Sequence, residues 1–105
     1  MSSSYSKVSD PVIIEVLKLL KMNSVFGIRN KEGLFIGVPS IDIDPSGNLF
    51  YLDVNKRRTS VRSLIMNSKG LQSARWLDHL HFIDRNANIV SFKKHISSNY
   101  GLNFT

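Results

Sequence analysis

Four short segments of turn-forming residues divide this chain, and they constrain its fold more than any other feature. They are residues 30–33, 44–47, 55–58 and 84–87. Runs of β-branched and aromatic residues flank these segments, for example at 25–28 and 34–38. Glycine, asparagine, aspartate and proline between such runs favour tight turns that join antiparallel strands. The pattern therefore predicts a series of β-hairpins.

Three helices are predicted around these hairpins. A Ser-Asp-Pro sequence at residues 9–11 precedes an apolar segment that continues to Met22, an order typical of a helix N-terminus. The segment 67–79 begins with a capping Asn-Ser pair and is predicted as a second helix. Ser91 can begin a short third helix, which Gly101 would end. The sequence thus predicts an α+β fold, in which an antiparallel β-sheet built from hairpins accompanies an N-terminal, a central and a short C-terminal helix.

The length and composition fit one compact domain. We expect residues 1–6 to form a flexible tail and residues 7–105 to form a single α+β domain. The chain has no cysteine, which excludes disulfides, thiolate metal sites and cysteine nucleophiles. It has no apolar run of membrane-spanning length, and its start lacks the apolar core of a secretory signal. We therefore expect a cytoplasmic protein of a bacterium or an infected host cell, without a membrane partner.

The central hairpins are predicted to separate apolar from polar side chains. Strands are expected at 41–44, 49–54 and 59–65, with Ile43 opposite Phe50 and Ile41 opposite Leu52. One face of this sheet would carry Ile41, Ile43, Phe50, Leu52, Val54 and Val61. The other face would carry Asp42, Asp44, Tyr51, Asp53, Ser60 and Arg62.

The excess positive charge of the chain lies in its second half. Residues 1–54 carry five Lys/Arg and six Asp/Glu, whereas residues 55–105 carry nine and two, which together give the net charge of +6. A strongly cationic side on a small domain attracts a polyanion and releases its counterions. Nucleic acid is therefore the first partner that the sequence indicates.

The densest group of basic residues lies at 55–63, on a predicted hairpin tip and the strand that leaves it. The predicted nucleic-acid-binding residues are Lys56, Arg57, Arg58, Arg62, Tyr51, Ser60, Lys69, Arg75, Lys93 and Lys94. The three cations of the tip would contact phosphates, while Arg62 and Tyr51 would lie nearer the bases. Double-stranded DNA is the favoured ligand, and RNA stays open. Alternatively, the tip residues only keep a turn soluble, with Arg58 paired to Asp53.

Two groups of residues could in principle hold a metal ion. Asp78, His79, His81 and Asp84 form one group, but histidines at this spacing are more often polar residues at a helix end. Asp42, Asp44 and Asp53 could bind Mg²⁺ in a nuclease, although alternating aspartates on a strand are more often a solvated face. We therefore predict no metal site, no catalytic residue and no cofactor.

Part of the chain resembles known DNA-binding domains. Gly37-Val38, SGNLFYLDV at 46–54, NKRR at 55–58 and SKGLQSARWLD at 68–78 resemble the AP2 and phage-integrase-arm type, over about residues 37–80. In that family a three-stranded antiparallel sheet, backed by a helix, presents strand residues to the major groove. The arginine and tryptophan pattern of its plant members is absent. Two similar segments, 41–50 and 81–90, bracket the predicted central helix, which is also similar to the double-wing domain of T-even phage middle-promoter activators. Both resemblances imply DNA binding.

The sequence therefore favours a small basic DNA-binding protein that is not an enzyme, a transcription or recombination accessory factor of viral or mobile-element type. A second hypothesis is a protein-interaction module, such as a phage-type inhibitor or modulator of a host enzyme, which would use its basic face or its apolar first helix. The helix at 11–22 could also join two copies of the chain as a homodimer. A metal-dependent nuclease is the third hypothesis.

Overall fold

The computed structural model describes residues 5–102, which form four helices and eight strands. In chain order these are β1 (Ser6–Lys7), α1 (Pro11–Lys21), β2 (Val25–Arg29), β3 (Phe35–Gly37), β4 (Asp42–Ile43), β5 (Asn48–Leu52), β6 (Arg58–Ser60), α2 (Val61–Lys69), α3 (Trp76–His79), β7 (Leu80–Ile83), β8 (Ile89–Ser91) and α4 (Phe92–Tyr100). Helices and antiparallel sheets together make this an α+β protein, as the sequence predicts.

The strands form two antiparallel sheets rather than one. In the first, called sheet A, β5 pairs with β4 on one side and with β1 and β6 on the other. In the second, called sheet B, the strand order is β3-β2-β7-β8. The predicted tail at 1–6 is described only from residue 5 onward, and there Ser6 pairs with Leu49 in β1. Residues 1–4 of that prediction lie outside the described residues.

The first helix is confirmed by its capping residues. The Asp10 carboxylate accepts the Val12 N–H at 2.9 Å, and Pro11 occupies the first helical position, where its missing N–H costs nothing. Ile13, Val16 and Leu17 are buried on one face of α1. The residues at the opposite side of α1 stay in solvent, so this helix covers the core on one side only.

A continuous hydrophobic core joins both sheets to the helices. Its buried members are Val8, Ile13, Val16, Leu17, Phe26, Ile28, Val38, Ile41, Ile43, Leu49, Val61, Ile65, Leu80, Phe82, Phe92 and Ile96. Phe26 is central to it, because its ring meets those of Phe82 at 6.0 Å and Phe92 at 5.7 Å, both edge to face. The contact between Phe26 and Phe92 thus packs sheet B against α4.

The predicted register of β4 and β5 is wrong by one residue. Ile43 pairs with Leu49, not with Phe50, because the Asp44 N–H donates to the Asn48 carbonyl and closes the turn there. Leu49 therefore points into the core beside Ile43. A shift of one residue exchanges the two faces of a strand. Val54, predicted on the apolar face, is 97 % exposed.

The predicted strand at 59–65 and helix at 67–79 are also wrong. The strand ends at Ser60, whose hydroxyl accepts the Ser63 N–H at 3.4 Å and caps α2. That helix ends at Gly70, which has a left-handed φ of 67°. Within 67–79, only residues 67–69, which belong to α2, and residues 76–79, which form α3, are helical. Ser60 is a helix cap, so the apolar residues after it follow helical spacing rather than strand alternation.

The structure contains an internal repeat, with units at 48–71 and 79–102 that are offset by 31 residues. Each unit is two antiparallel strands followed by a helix, and Phe50 pairs with Ser60 as His81 pairs with Ser91. A serine caps both helices, and a left-handed glycine ends both. Seven residues are identical between the units, at 49/80, 53/84, 55/86, 60/91, 65/96, 70/101 and 71/102. The similar segments 41–50 and 81–90 are likewise two hairpins closed by the same kind of turn, at Asp44 and Asp84.

Candidate nucleic-acid interface

In the β5–β6 turn two cations are exposed, whereas the carboxylate of Asp53 is hydrogen-bonded to the backbone of the turn. The Asp53 carboxylate accepts the N–H groups of Asn55 at 2.8 Å and Arg57 at 2.9 Å. The Lys56 N–H donates to the Asp53 carbonyl at 2.9 Å, and Lys56 has a φ of 62°. These bonds hold the tip in a fixed conformation, with the Lys56 and Arg57 side chains exposed. Asp53 does not pair with Arg58, as one alternative expected.

The same turn occurs four times in the described chain. In each case an Asn or Asp side chain accepts the backbone N–H groups two and four residues later; these residues are Asn30, Asp44, Asp53 and Asp84. The residue three positions further has a positive φ in all four, at Gly33, Gly47, Lys56 and Ala87. The three aspartates of this set are therefore engaged by their own backbone, a common use of Asx side chains in turns.

Arg58 is exposed, but its side chain is held in place by contacts within sheet A. Its guanidinium forms an ion pair with Asp44 and lies over the Phe50 ring, 4.3 Å from the ring centroid. The hydrogen bond from Arg58 is the largest cause that lowers the pKa of Asp44, from 3.8 to about 2. The Arg58 carbonyl also accepts the Tyr5 hydroxyl at 3.3 Å. Arg58 thus differs from Lys56 and Arg57, with which it was grouped.

Tyr51, Ser60 and Arg62 do not share an exposed strand face, which corrects their predicted position. Ser60 is 1 % exposed and caps α2, so its hydroxyl is not a surface donor. Tyr51 is half-buried and packs against the core. Arg62 lies in the first turn of α2, not on a strand. Base contacts by Tyr51 and Arg62 from one strand are therefore excluded by the fold.

Arg75 and Lys93 lie together beside Asp78. Lys93 Nζ is 2.8 Å from the Asp78 carboxylate, and this hydrogen bond is the largest cause that lowers the pKa of Asp78. The charge of Arg75 lowers the same pKa further. Lys94 is exposed in the first turn of α4, and Lys69 is in the last turn of α2. Of these four residues, Lys93 is the one with a carboxylate at salt-bridge distance within residues 5–102.

A second group of basic side chains was missed by the sequence analysis. Burial lowers the pKa of His79 and of His81, and the charge of Lys69 lowers both further. The charge of Arg29 adds to the effect on His81. Arg29 and His81 lie on the same side of the sheet, and the Lys31 N–H, which donates to the Ser68 carbonyl at 3.3 Å, places Lys69 beside the β2–β3 turn. Pairing of Gly27 with His81 brings β2 beside β7, a contact between distant parts of the sequence.

The carboxylates of the described residues neutralise few of the cations in the second half. Ion pairs join Asp42 to Lys18 at 3.6 Å and to Lys21 at 3.1 Å, and further pairs are Arg58–Asp44 and Lys93–Asp78. Asp42 and Asp44 are thus occupied, which argues against a nuclease metal site there. Within residues 5–102, the cations of the second half that make no ion pair are Lys56, Arg57, Arg62, Lys69, Arg75, Arg85 and Lys94.

The described residues contain neither a metal-binding cluster nor a membrane-spanning helix. No three His, Cys, Asp or Glu side chains lie together in a way that could hold a metal ion. No helix is both long and apolar enough to cross a membrane. Comparisons of the chain with protein-family models, with curated proteins and with solved structures find no match. The functional assignment therefore depends on the geometry of the basic residues.

Proposed function

We propose that the protein binds nucleic acid, with double-stranded DNA as its favoured ligand, and that the β5–β6 tip contacts the phosphates. This proposal is supported chiefly by the hydrogen bonding and exposure of the charged side chains at the tip. Its carboxylate, Asp53, is engaged by the turn, whereas Lys56 and Arg57 are exposed and make no ion pair with any described residue. Because the turn is already rigid, only the side chains of Lys56 and Arg57 lose conformational freedom when the tip binds a phosphate.

The helix N-termini support the same function. α2 carries Arg62 in its first turn and α4 carries Lys93 and Lys94, while neither first turn contains an acidic residue. The helix macrodipole makes positive side chains unfavourable at this end. The two equivalent positions, Arg62 and Lys93, are both basic in the two repeat units. Lys93 is paired with Asp78, whereas Arg62 and Lys94 make no ion pair with any described residue and lie at helix ends that suit an anionic ligand.

The test is the salt dependence of binding to duplex DNA. The double variant K56A/R57A is expected to weaken binding and to reduce the slope of log affinity against log salt by up to about 1.8, because each phosphate contact contributes about 0.9. The matched control K18A/K21A also removes two positive charges, but these already face Asp42. It is expected to keep the wild-type slope. Equal slopes in K56A/R57A and in the wild type would contradict the proposal.

We propose further that the protein acts in a transcription or recombination event of viral or mobile-element type, inside the cell that holds the DNA. This narrower role depends on the resemblance to AP2, integrase-arm and double-wing domains. Capture of bound DNA fragments from cells that express the protein, followed by sequencing, tests it. Enrichment of promoter or recombination sites is the expected result, and uniform recovery of the genome would contradict it.

A second function, protein binding through α1, is favoured by the exposed side of that helix. Val12, Leu19 and Met22 lie on one stripe and are 40 %, 53 % and 78 % exposed. A second copy of the chain is the partner proposed, because α1 lies in the half of the sequence without excess charge. Sedimentation equilibrium is expected to give a dimer for the wild type and a monomer for L19K/M22K. A monomeric wild type would exclude this interface.

A further inference from the structure

Sheet B has an inner and an outer face, which its register defines. Directly paired residues in an antiparallel sheet point to the same side. Phe26, Phe82 and Val90 are paired in one row, and they pack in the core. The neighbouring row, Val25, Ile83 and Ile89, therefore points outward. We call this side the open face; it carries Val25, Gly27, Arg29, Phe35, Gly37, His81, Ile83 and Ile89.

The open face is more apolar than the solvent side of an antiparallel sheet usually is. Val25 is 42 % exposed and Ile89 is 36 % exposed, with Ile83 half-buried between them. No Asp or Glu occurs in β2, β3, β7 or β8. The strands of the open face therefore carry no acidic side chain, and the exposure of their apolar side chains has no explanation in the packing of the core.

The centre of the open face is flat and partly aromatic. Gly27 and Gly37 pair with each other, so two neighbouring positions have no side chain. The Phe35 ring lies across them, since a Cβ on Gly27 would be 2.5 Å from Phe35 Cζ and one on Gly37 would be 3.7 Å from Phe35 Cε2. His81 pairs with Gly27 and continues the same row. The Phe35 ring thus covers the glycines of this row, and His81 lies next to it; we call these two side chains the Phe35–His81 strip.

The charges around this strip are positive. Arg29 pairs with Phe35, and its guanidinium is held over the turn by the Gly33 carbonyl at 2.7 Å. The Lys31 N–H donates to the Ser68 carbonyl at 3.3 Å, which places the end of α2, with Lys69, beside the β2–β3 turn that Arg29 contacts. A second copy of this chain would bring the same cations against each other, which opposes self-association through the open face. Phosphates of a polyanion would be attracted to them.

We propose that the open face of sheet B binds single-stranded nucleic acid, with bases on the Phe35–His81 strip and phosphates at Arg29 and Lys69. Unpaired bases stack on exposed rings and apolar surface while cations follow the backbone. A duplex keeps its bases inside and cannot use a flat strip of this kind. The inference rests on the proposed nucleic-acid function. It adds a second binding surface to the hairpin tip, and this surface recognises unpaired bases. Unpaired bases are common to single-stranded DNA and RNA.

The experiment compares fluorescence anisotropy of a labelled single-stranded DNA, an RNA of the same sequence and the matching duplex. F35L keeps apolar cover over Gly27 but removes the ring. It is expected to lower single-strand affinity about 5- to 100-fold, which is the range for loss of one stacked base, and to leave duplex affinity unchanged. The control L34A removes a neighbouring side chain that is 64 % exposed in the turn, and it is expected to change neither affinity.

The two proposals fail in different ways. If the duplex binds and single strands do not, or if F35L binds single strands as the wild type does, the open-face inference is wrong and the hairpin-tip function stands. If neither ligand binds, both are wrong. Photocrosslinking of a single strand that carries a photoreactive base to the wild-type protein needs no variant. A crosslink on the peptide with Phe35 or His81 supports the inference, and crosslinks confined to residues 54–57 overturn it.

Discussion

At the scale of single residues, the aspartates explain how a basic protein keeps its cations accessible. Asp53 and Asp84 accept backbone N–H groups within their turns, and Asp44 does so while it also binds Arg58. A carboxylate used in this way stabilises a turn, and within residues 5–102 neither Asp53 nor Asp84 has a cation at salt-bridge distance. The aspartates thus determine the backbone conformation of the hairpins, and the exposed basic residues at the tips remain free for a ligand.

Asp44 makes a specific prediction about stability in acid. Its folded-state pKa of about 2 lies below the ordinary value of 3.8, chiefly because of the Arg58 hydrogen bond. A lowered pKa stabilises the fold above pH about 4, and this contribution is lost as the pH falls toward about 2. D44N is therefore expected to have a lower melting temperature than the wild type at neutral pH and a weaker dependence on acid, measured by circular dichroism.

Asp84 provides the control for that measurement. D84N alters the equivalent turn, which has no arginine at salt-bridge distance within residues 5–102. Its melting temperature is expected to fall with acid as the wild-type value does. If D44N and the wild type lose stability in parallel between pH about 5 and about 2, the Arg58–Asp44 pair does not contribute in the way described.

At the scale of the elements, the duplicated ββα unit places most cations of the second half on two copies of one backbone framework. The hairpin register, the capping serine and the terminal glycine are the same in both units. The side chains on the tips differ, with Lys56 and Arg57 in one unit and Ala87 and Asn88 in the other. The repeat therefore maintains one backbone framework, and the variable tip positions decide which unit carries more charge.

In the first turn of α4, one substitution is expected to raise the stability of the fold and to weaken the binding of duplex DNA. The Lys94 N–H donates to the Ser91 hydroxyl at 3.3 Å, so Lys94 occupies the N3 position, where a capping box has Glu or Gln. K94E would complete that box and suit the macrodipole. It is expected to raise stability by about 0.5–1 kcal/mol in urea unfolding, and to weaken duplex binding because a cation is lost. Tighter binding by K94E would contradict the proposed role of Lys94.

The equivalent position in the first repeat unit gives the matched variant. Ser63 donates its N–H to the Ser60 hydroxyl, as Lys94 does to Ser91. S63Q adds a capping-box side chain without a change of charge, and a gain of similar size in stability is expected. Its affinity for duplex DNA should equal that of the wild type, so a loss of affinity in S63Q would mean that helix geometry, not charge, controls binding.

At the scale of the whole molecule, local and distant interactions differ in how well the sequence predicts them. α1, the four turns, the C-terminal hairpin and α4 could be predicted, because Asp10, Ser91 and Gly101 act on backbone groups a few residues away. The segment 60–65 could not, since its apolar residues fit a strand or a helix until Ser60 is known to end β6. The one-residue error in β5 has a similar origin, because the bonds that close the turn at Asp44 fix the pairing.

The candidate site divides in the same way. Lys56 and Arg57 were found from the sequence because a turn rich in polar residues is exposed wherever it lies. The surroundings of Arg58, Ser60 and Tyr51 could not be predicted: Ser60 is buried at the end of a strand, Tyr51 is half-buried against the core, and Arg58 stays exposed but is paired with Asp44. Arg29 and His81 reach the same side of the sheet only when β2 pairs with β7, and Lys69 lies beside the β2–β3 turn only when α2 packs there.

The sequence by itself determined the α+β class, the tight turns, the ends of the first and last helices and the excess of positive charge. These properties depend on composition and on hydrogen bonds between residues close together in the chain. The tertiary structure alone decided which cations are free and which faces are open. Ion pairs such as Arg58–Asp44 and strand pairs such as Gly27–His81 join distant residues, and their formation depends on the packing of the complete core.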